Sequence, residues 1–136
     1  MTDDLTGETR AVVDLFYEAY VGGNLDGMLA LMAEEAVVTF AGHGTFRGKN
    51  DIRHYMTWGS TQLPGLRFNV VQKIVEGENA AVTWDETGRT RRGEHWAAIG
   101  CDIYRVVDGQ IVELTCIGDT EKMTQLLDPY PGHSAS

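Results

Sequence analysis

One carboxylate of this sequence stands in an apolar segment, where its chemistry would differ most from that of a surface group. Asp102 lies within the run Ala97-Ala98-Ile99-Gly100-Cys101-Asp102-Ile103-Tyr104. Burying an ionised carboxylate is costly unless the group is paired or used, and apolar neighbours raise the pKa of a carboxyl group by desolvation. Asp102 is therefore predicted to be an acid–base residue, with His43 or Tyr104 as the assisting donor. The alternative is a strand aspartate that bonds a neighbouring Thr, Tyr or Arg side chain.

Two other sites in the sequence offer titratable groups. His43 follows the first predicted strand, and an imidazole titrates near neutral pH, although a histidine in a flexible turn would have the same sequence. Asp85 and Glu86 are adjacent in one strand, so only one of them can point into a pocket. The apolar residues of that strand are even-numbered and define the inner face, which directs Asp85 outward.

The sequence predicts neither a catalytic thiol nor a metal centre. Cys116 has no base or positive charge nearby in the sequence to lower its thiol pKa, so we interpret it as a small apolar residue of the pocket. Asp119 opens the last helix and is interpreted as its N-cap. The histidines lack the short spacing of metal ligands, so no metal and no cofactor are expected. They are His43, His54, His95 and His133.

The hairpin at Asp108-Gly109 decides whether Asp102 points into the pocket. A three-residue loop over 107–109 places Asp102 on the same face as Cys116, whereas a two-residue loop places Cys101 opposite Cys116 and turns Asp102 to the other face. We favour the three-residue loop, because it turns the apolar residues of the last strand inward and the polar ones outward. The inward set is Val112, Leu114 and Cys116, and the outward set is Glu113 and Thr115.

The elements that position these residues begin with helices. Apolar residues recur at helical spacing after Thr6 and again after Asn24, which is placed to cap the second of two helices separated by Gly22-Gly23. The further predicted helices run from Asn50 to about Trp58 and from Thr120 to Leu127.

Strands rich in β-branched and aromatic residues fill most of the remaining chain and are separated by glycine-containing turns. They are predicted over residues 36–41, 66–75, 79–87, 94–106 and 110–117. Helices followed by an antiparallel meander indicate one α+β domain over residues 1–136, with irregular tails at 1–6 and 129–136.

Charge and hydropathy argue against several classes of protein. The 136 residues have a formal net charge of −9 and a pI of about 4.7, which disfavours binding to nucleic acids or anionic membranes. No apolar run approaches the roughly 20 residues of a membrane span, and the N-terminus has neither the basic start nor the apolar stretch of a signal peptide. We therefore expect a cytoplasmic protein whose two cysteines, Cys101 and Cys116, are reduced.

Four motifs follow one another along the chain. They are Gly22-Gly23-Asn24-Leu25-Asp26, Phe46-Arg47-Gly48-Lys49, the segment from Tyr104 to Glu113, and the closing Asp128-Pro129-Tyr130-Pro131. In this order they resemble the nuclear transport factor two-like superfamily and, within it, the SnoaL-like group of polyketide cyclase-like proteins. The resemblance implies a cone: a curved antiparallel sheet with about three helices on its concave face, a short C-terminal helix, and a pocket between them.

The resemblance also shows which catalytic residues of related families are missing. Phe16 stands where ketosteroid isomerases have a first-helix tyrosine, and Phe40 stands where they have the general-base aspartate. Cys116 replaces the last-strand aspartate of limonene epoxide hydrolases and SnoaL-type cyclases, and the middle strands contain no Arg-x-Asp pair. Asp102, in contrast, stands where SnoaL-type cyclases have a histidine.

The expected pocket lies between the first and third helices and the sheet, with apolar walls and few polar groups. Its predicted lining is Phe16, Tyr20, Phe40, Tyr55, Trp58, Trp84, Trp96, Leu114 and Cys116. The resemblance implies cofactor-free general acid–base chemistry (cyclisation, dehydration or isomerisation) on a small, largely apolar, polyketide-like molecule. The alternatives are a non-catalytic ligand-binding or dimerisation module and an epoxide hydrolase of the limonene type, whose residues are missing.

The penultimate strand is apolar on both faces, which predicts a homodimer. Ala97, Ile99, Cys101 and Ile103 alternate with Trp96, Ala98 and Tyr104. A sheet with one solvated face would instead alternate apolar with polar residues. Because the helices cover one face only, a two-fold contact with a second copy is the expected cover of the other.

Overall fold

The computed structural model describes the backbone of residues 2–131 and the side chains of residues 4–131. The first helix begins at Thr2, so the irregular tail expected over residues 1–6 is wrong for the described part of that segment. Tertiary contacts hold these first turns, because Thr6 Oγ1 accepts a hydrogen bond from the backbone of Gly77 at 2.9 Å and Thr9 Oγ1 donates one to its carbonyl at 2.6 Å. Residues 127–131 form no helix or strand, and the last five positions of the expected tail, with His133, lie outside the described residues.

Four helices are present among the described residues. They are α1 (Thr2–Val21), α2 (Leu25–Ala30), α3 (Lys49–Gln62) and α4 (Thr120–Leu126). Both predicted N-caps are confirmed: Asn24 Oδ1 accepts from Gly27 N at 2.9 Å, and Asp119 Oδ1 accepts from Lys122 N at 3.2 Å. The helix α3 is longer than predicted and continues four residues beyond Trp58.

Six strands form one curved sheet, which confirms the α+β class. They are β1 (Met32–Phe40), β2 (Gly44–Arg47), β3 (Arg67–Glu76), β4 (Asn79–Arg89), β5 (His95–Val107) and β6 (Gln110–Ile117), in the spatial order β2-β1-β6-β5-β4-β3. Two features differ from expectation. The short strand β2 was not predicted, and β1 pairs with β6 in parallel, so the sheet is mostly rather than wholly antiparallel.

The β5–β6 hairpin differs from the preferred prediction in its turn and in its pairing, but it places Asp102 and Cys116 on one face, as predicted. Val107 pairs with Gln110 across a two-residue turn, and both turn residues, Asp108 and Gly109, have positive φ. The three-residue loop is therefore wrong. A bulge at Val112 then shifts the pairing by one residue, so that Asp102 pairs with Cys116 and shares its face. The three-residue loop would have paired Asp102 with Leu114, and Ile111 is buried where Val112 was predicted to point inward.

The two faces of β5 are buried to different extents. Its even-numbered residues pack toward the helices, and Trp96 and Tyr104 are among the most deeply buried side chains of the protein. Its odd-numbered residues point away from the helices, where Ile99 is 76% exposed and Ile103 is 46% exposed. This division agrees with the prediction from the apolar alternation, and it leaves an apolar outer face on the sheet.

Candidate active site

A cavity of about 700 Å³ lies between the helices and the inner face of the sheet. This volume is in the range of small-molecule binding sites. All nine residues that the sequence analysis named as pocket lining border it: Phe16, Tyr20, Phe40, Tyr55, Trp58, Trp84, Trp96, Leu114 and Cys116. Asp102 and Glu86 are the two carboxyl groups that lie buried on its wall.

Asp102 lies on β5 with its side chain on the inner face and is 8% exposed. Its Oδ2 accepts a hydrogen bond from Tyr17 Oη at 2.5 Å and a longer one from Tyr104 Oη at 3.4 Å. Its Oδ1 is fully buried and has no hydrogen-bond partner among the described residues. Desolvation raises the pKa of the Asp102 carboxyl, and the hydrogen bond from Tyr17 opposes that rise by stabilising the charged form.

Tyr17 is the site residue that the sequence analysis missed. Tyr17 is one of the residues that recur at helical spacing after Thr6, and the resemblance places Phe16, not Tyr17, at the position of the first-helix tyrosine of ketosteroid isomerases. In the structure the next residue, Tyr17, supplies the hydroxyl from α1 and borders the cavity. Burial raises the pKa of the Tyr17 phenol, so it remains a proton donor to Asp102 across the physiological range. The signal in the sequence that could have identified Tyr17 is its hydroxyl group, which stands within the apolar stripe of α1.

The two predicted assisting donors lie outside the cavity lining. Tyr104 is buried behind the wall, where its hydroxyl contacts Asp102 and its ring packs edge-on against Phe16. His43 is half-buried in the turn after β1, and its Nδ1 lies 2.6 Å from the hydroxyl of Tyr55, a lining residue. Tyr104 therefore contacts Asp102, whereas His43 contacts Tyr55, which borders the cavity elsewhere.

Glu86 is the second carboxyl group of the cavity. It lies on β4 and is 8% exposed, and its Oε1 accepts a hydrogen bond from Trp96 Nε1 at 3.0 Å. Desolvation raises the pKa of Glu86 to about 7, while the bond from Trp96 acts against the rise. The alternation of β4 that directs Asp85 outward turns Glu86 inward. Asp85 is half-buried on the outer face, where Asn69 Nδ2 donates to it across the sheet at 3.5 Å.

Trp84 separates the two carboxyl groups along the sheet. Val82, Trp84 and Glu86 follow one another on the inner face of β4, opposite Asp102, Gly100 and Ala98 of β5. The indole of Trp84 lies over Gly100, since a Cβ at that position would come within 2.5 Å of Trp84 Cη2 and 2.6 Å of the Ile117 carbonyl oxygen. A glycine is thus required beneath the ring, and Trp84 contributes to the cavity wall between the acids.

Cys116 lies opposite Asp102 on β6 and borders the cavity. Burial raises the pKa of its thiol, and the neighbouring Asp102 carboxyl acts in the same direction. The thiol is therefore protonated at neutral pH and suited to donate weakly to the carboxylate rather than to act as a nucleophile.

Within residues 2–131, no three His, Cys, Asp or Glu side chains converge as metal ligands do. His54 is exposed on α3 and His95 is exposed at the start of β5. In the same part of the chain, no helix combines the length and apolarity of a membrane span.

Residues 13–114 match a family model described as the SnoaL-like domain. The chain belongs to the SnoaL-like family. The match covers the elements from within α1 to the middle of β6, and so contains Tyr17, Glu86 and Asp102. No sequence among curated proteins matches the chain.

Solved structures share the fold of this SnoaL-like chain at low sequence identity. A nuclear transport factor two-like protein from Burkholderia pseudomallei is 22% identical, with a TM-score of 0.82 over 88% of this chain and 97% of its own. A protein from Jannaschia, named provisionally as a SnoaL-like polyketide cyclase, is 17% identical, with a TM-score of 0.82 over 90% and 93%. TerC, co-crystallised with polyporic acid, is 19% identical, with a TM-score of 0.77 over 88% and 97%. These likenesses establish the nuclear transport factor two-like fold.

Proposed function

We propose that this protein is an enzyme that performs cofactor-free general acid–base chemistry on a small, largely apolar, polyketide-like molecule. The observation that supports this most directly is the pair of buried carboxyl groups, Asp102 and Glu86, on the wall of one apolar cavity. Burial that raises carboxyl pKa values toward neutrality is how enzymes adapt these groups to proton transfer. Two proteins of similar fold support this substrate class. The Jannaschia protein is named as a polyketide cyclase, and TerC was crystallised with polyporic acid.

Asp102 is the proposed proton-transferring group. Tyr17 and Tyr104 occupy its Oδ2, whereas its buried Oδ1 has no hydrogen-bond partner among the described residues and is the oxygen we assign to proton transfer. In an isomerisation, Asp102 would take a proton from the carbon next to a substrate ketone and return it to another carbon of the same molecule. Dehydration and aldol cyclisation begin with the same proton removal, so the geometry of one carboxyl group serves all three reaction classes.

The proposal is tested with substrates whose products share a spectroscopic signal. A β,γ-unsaturated ketone, a β-hydroxy ketone and a diketone that closes by aldol condensation each yield a conjugated enone with a new ultraviolet band. With a substrate that is turned over, we expect Asp102→Asn to lower kcat by about 10²- to 10⁴-fold, because a positioned acid–base group contributes on that scale. Glu86→Gln tests whether the second acid takes part in the same step.

Asp85→Asn is the matched control, since Asp85 lies on the same sheet but on its outer face. It should leave kcat unchanged, and circular dichroism should show that all three variants are folded. If folded Asp102→Asn keeps wild-type kcat on every substrate that is turned over, Asp102 is not the acid–base residue.

A second candidate function is a non-catalytic ligand-binding module. It is favoured by Phe40 and Cys116, which stand where related enzymes have carboxylates and which both border the cavity. Binding of apolar molecules without turnover in the substrate series would support this candidate. The epoxide hydrolase has less support, because Cys116 is protonated and no aspartate stands at its position.

We also propose that the protein forms a homodimer through the outer face of its sheet. Exposed apolar side chains from three strands lie there and would be removed from water by a second copy: Val71, Ile74, Ile99, Ile103 and Ile117. A self-complementary two-fold contact is the commonest way in which such a face is covered.

A further inference from the structure

Two buried polar atoms on the cavity wall make no hydrogen bond among the described residues. They are Trp84 Nε1, a donor, and Asp102 Oδ1, an oxygen of the carboxyl group. Their residues are 6% and 8% exposed, and both border the cavity. Because nearly all buried polar groups in proteins are hydrogen-bonded, this pair of atoms indicates a partner that enters the cavity.

The two atoms belong to neighbouring positions of the sheet. Asp102 pairs with Val82 on the adjacent strand, and Trp84 follows Val82 on the same face of that strand. The indole N–H of Trp84 is near enough to the Asp102 carboxyl to lower its pKa as a hydrogen-bond donor would, but the pair does not reach the distance and angle of a hydrogen bond. A small group that reaches both atoms would satisfy a donor and an acceptor together.

We propose that Trp84 Nε1 and Asp102 Oδ1 form a two-point binding site for a hydroxyl group of the ligand, such as that of a phenol, an enol or an alcohol. The hydroxyl oxygen accepts from the indole N–H, and the hydroxyl proton is donated to the carboxylate. This inference rests on the proposed function, since it specifies the class of molecule that the same cavity takes.

A hydroxyl group fits both protonation states of Asp102, and this distinguishes it from other polar groups. Tyr17 and Tyr104 already donate to Oδ2, so the proton of a neutral Asp102 belongs on Oδ1. A hydroxyl oxygen can then accept from both Oδ1 and the indole. A ketone oxygen only accepts, and so fits only the neutral acid, while an ammonium group cannot accept from the indole at all.

The remainder of the ligand is expected to be planar and apolar. Many aromatic rings border the cavity, and they include Phe16, Tyr20, Phe40, Trp58 and Phe68. Flat apolar ligands make the most contact with such rings. Hydroxylated aromatic molecules combine this shape with the hydroxyl group that the two-point site takes.

The test compares ligands that differ only in the polar group. Isothermal titration of the wild-type protein at neutral pH would use 2-naphthol, naphthalene, 2-methoxynaphthalene and 2-tetralone. We expect 2-naphthol to bind about 10- to 100-fold more tightly than naphthalene, because it satisfies two buried polar groups that naphthalene leaves unsatisfied. The methyl ether cannot donate, so we expect its affinity to be closer to that of naphthalene. We expect the ketone, 2-tetralone, to bind more weakly than 2-naphthol.

Trp84→Phe should reduce the preference for 2-naphthol over naphthalene to within a few-fold, whereas Trp58→Phe, which alters another tryptophan of the same wall, should preserve it. An independent readout is the indole N–H signal of Trp84 in a nitrogen–proton correlation spectrum. The three tryptophans give three such signals, which the two variants assign. The Trp84 signal should move when 2-naphthol is added and not when naphthalene is added.

Three results would overturn the inference. The first is equal affinity of the wild-type protein for 2-naphthol and naphthalene, and the second is tighter binding of 2-tetralone than of 2-naphthol. The third is a Trp84 indole signal that does not move when 2-naphthol is added but moves in the ligand-free Asp102→Asn variant. The last would mean that the indole already bonds the carboxylate. These measurements involve no turnover, so they can fail while the acid–base experiment succeeds, and the reverse also holds.

Discussion

At the scale of single residues, Asp102 and Glu86 are carboxyl groups of one cavity in different surroundings. Asp102 accepts hydrogen bonds from two phenols, whereas Glu86 accepts one from an indole. Burial raises the pKa of both groups, and the value for Glu86 is about 7. Each group therefore makes the properties of the protein depend on pH in a way that a substitution can reveal.

Glu86 is expected to make the folded protein less stable as the pH rises toward 7. Its pKa is about 7 when folded and 4.5 in the reference state, so the folded chain holds this proton more tightly. Stability from this group is fully present below pH 4.5 and is lost as the pH rises through 7. The loss is roughly 3 to 4 kcal/mol at most, from about 1.4 kcal/mol per unit of pKa. Asp102, whose pKa is also raised, adds to it with the same sign.

Urea unfolding at pH 5 and pH 8 measures this effect. Glu86→Gln should show a smaller loss of unfolding free energy between the two pH values than the wild type. Asp85→Asn, on the outer face of the same strand, should show the wild-type loss. Equal losses in Glu86→Gln and wild type would contradict the assignment.

Tyr17→Phe is expected to raise the pKa of Asp102 further. The substitution removes the 2.5 Å hydrogen bond that stabilises the charged carboxylate and leaves the ring in place. The free energy behind this increase is that of a hydrogen bond to a charged group, about 1.5–3 kcal/mol. Carbon NMR titration of labelled aspartates measures it, with the Asp102 signal assigned by Asp102→Asn.

Tyr55→Phe is the control for this titration, because Tyr55 borders the same cavity but bonds His43 instead of Asp102. Its effect on the Asp102 pKa should be small. A wild-type pKa in Tyr17→Phe would show that the short contact does not stabilise the carboxylate.

At the scale of elements, β4 and β5 position the site because β5 has a glycine, Gly100, where any side chain would collide with Trp84. Gly100 gives the indole of Trp84 its place between the two acids, and the Trp84 ring also reaches Gly118 of the chain after β6. The strand pair therefore sets both the distance between the carboxyl groups and the wall between them. Any side chain at position 100 must displace either the ring or the neighbouring backbone.

Gly100→Ala is expected to destabilise the protein by about 1–3 kcal/mol, the usual cost of overpacking a well-packed interior. The added methyl group would overlap Trp84 and lie 2.6 Å from the backbone oxygen of Ile117, which cannot move as a flexible side chain does. Thermal unfolding measures the change, and tryptophan fluorescence should report the displaced ring. Gly7→Ala is the control: it lies exposed in α1 with nothing within 4 Å, so a stability equal to or above that of the wild type is expected. A wild-type melting temperature in Gly100→Ala would mean that the strands move apart without cost.

At the scale of the whole molecule, the helices and the cavity occupy one face of the sheet, and the other face presents apolar side chains to solvent. Ile99 is 76% exposed and Val71 is 61% exposed. Ile103 pairs across the strands with Ala81, which in turn pairs with Ile74, so the apolar residues form rows across several strands. Such a surface is unusual for a monomer.

The homodimer is expected to dissociate when a charge is placed on this surface. In Ile99→Lys the buried interface would contain an unpaired charge, and light scattering at micromolar concentration should give the mass of a monomer where the wild type gives a dimer. Leu15→Lys is the matched control, because Leu15 is also exposed, at 52%, but lies on α1. It should remain dimeric. A wild-type protein that is monomeric under these conditions excludes the dimer altogether.

The sequence by itself determined the class of fold, most helices and strands, and the inner and outer faces of the long strands. These properties follow from local periodicity, since residues two apart in a strand share a face and apolar residues collect on the buried one. The inward direction of Asp102 was predicted in this way, and that of Glu86 was available by the same rule. Periodicity could not find Tyr17 as a site residue, because a tyrosine in an apolar stripe has the same pattern whether its hydroxyl meets solvent or a carboxylate 85 positions away.

Only the tertiary structure decided how the hairpin reaches its register. The predicted loop and the observed turn differ by one residue, and the bulge in β6 returns Asp102 and Cys116 to one face. Both solutions place Leu114 and Cys116 inward, and they differ next to the turn, where Ile111 is buried in place of the predicted Val112. Burial therefore selects the face of the strand, while the local turn geometry remains open. The parallel pairing of β1 with β6, the helical start at Thr2 and the position of Trp84 over Gly100 likewise depend on segments far apart in the chain. Contacts of this kind have no local sequence signal, because the two partners are selected by the packing of the whole domain.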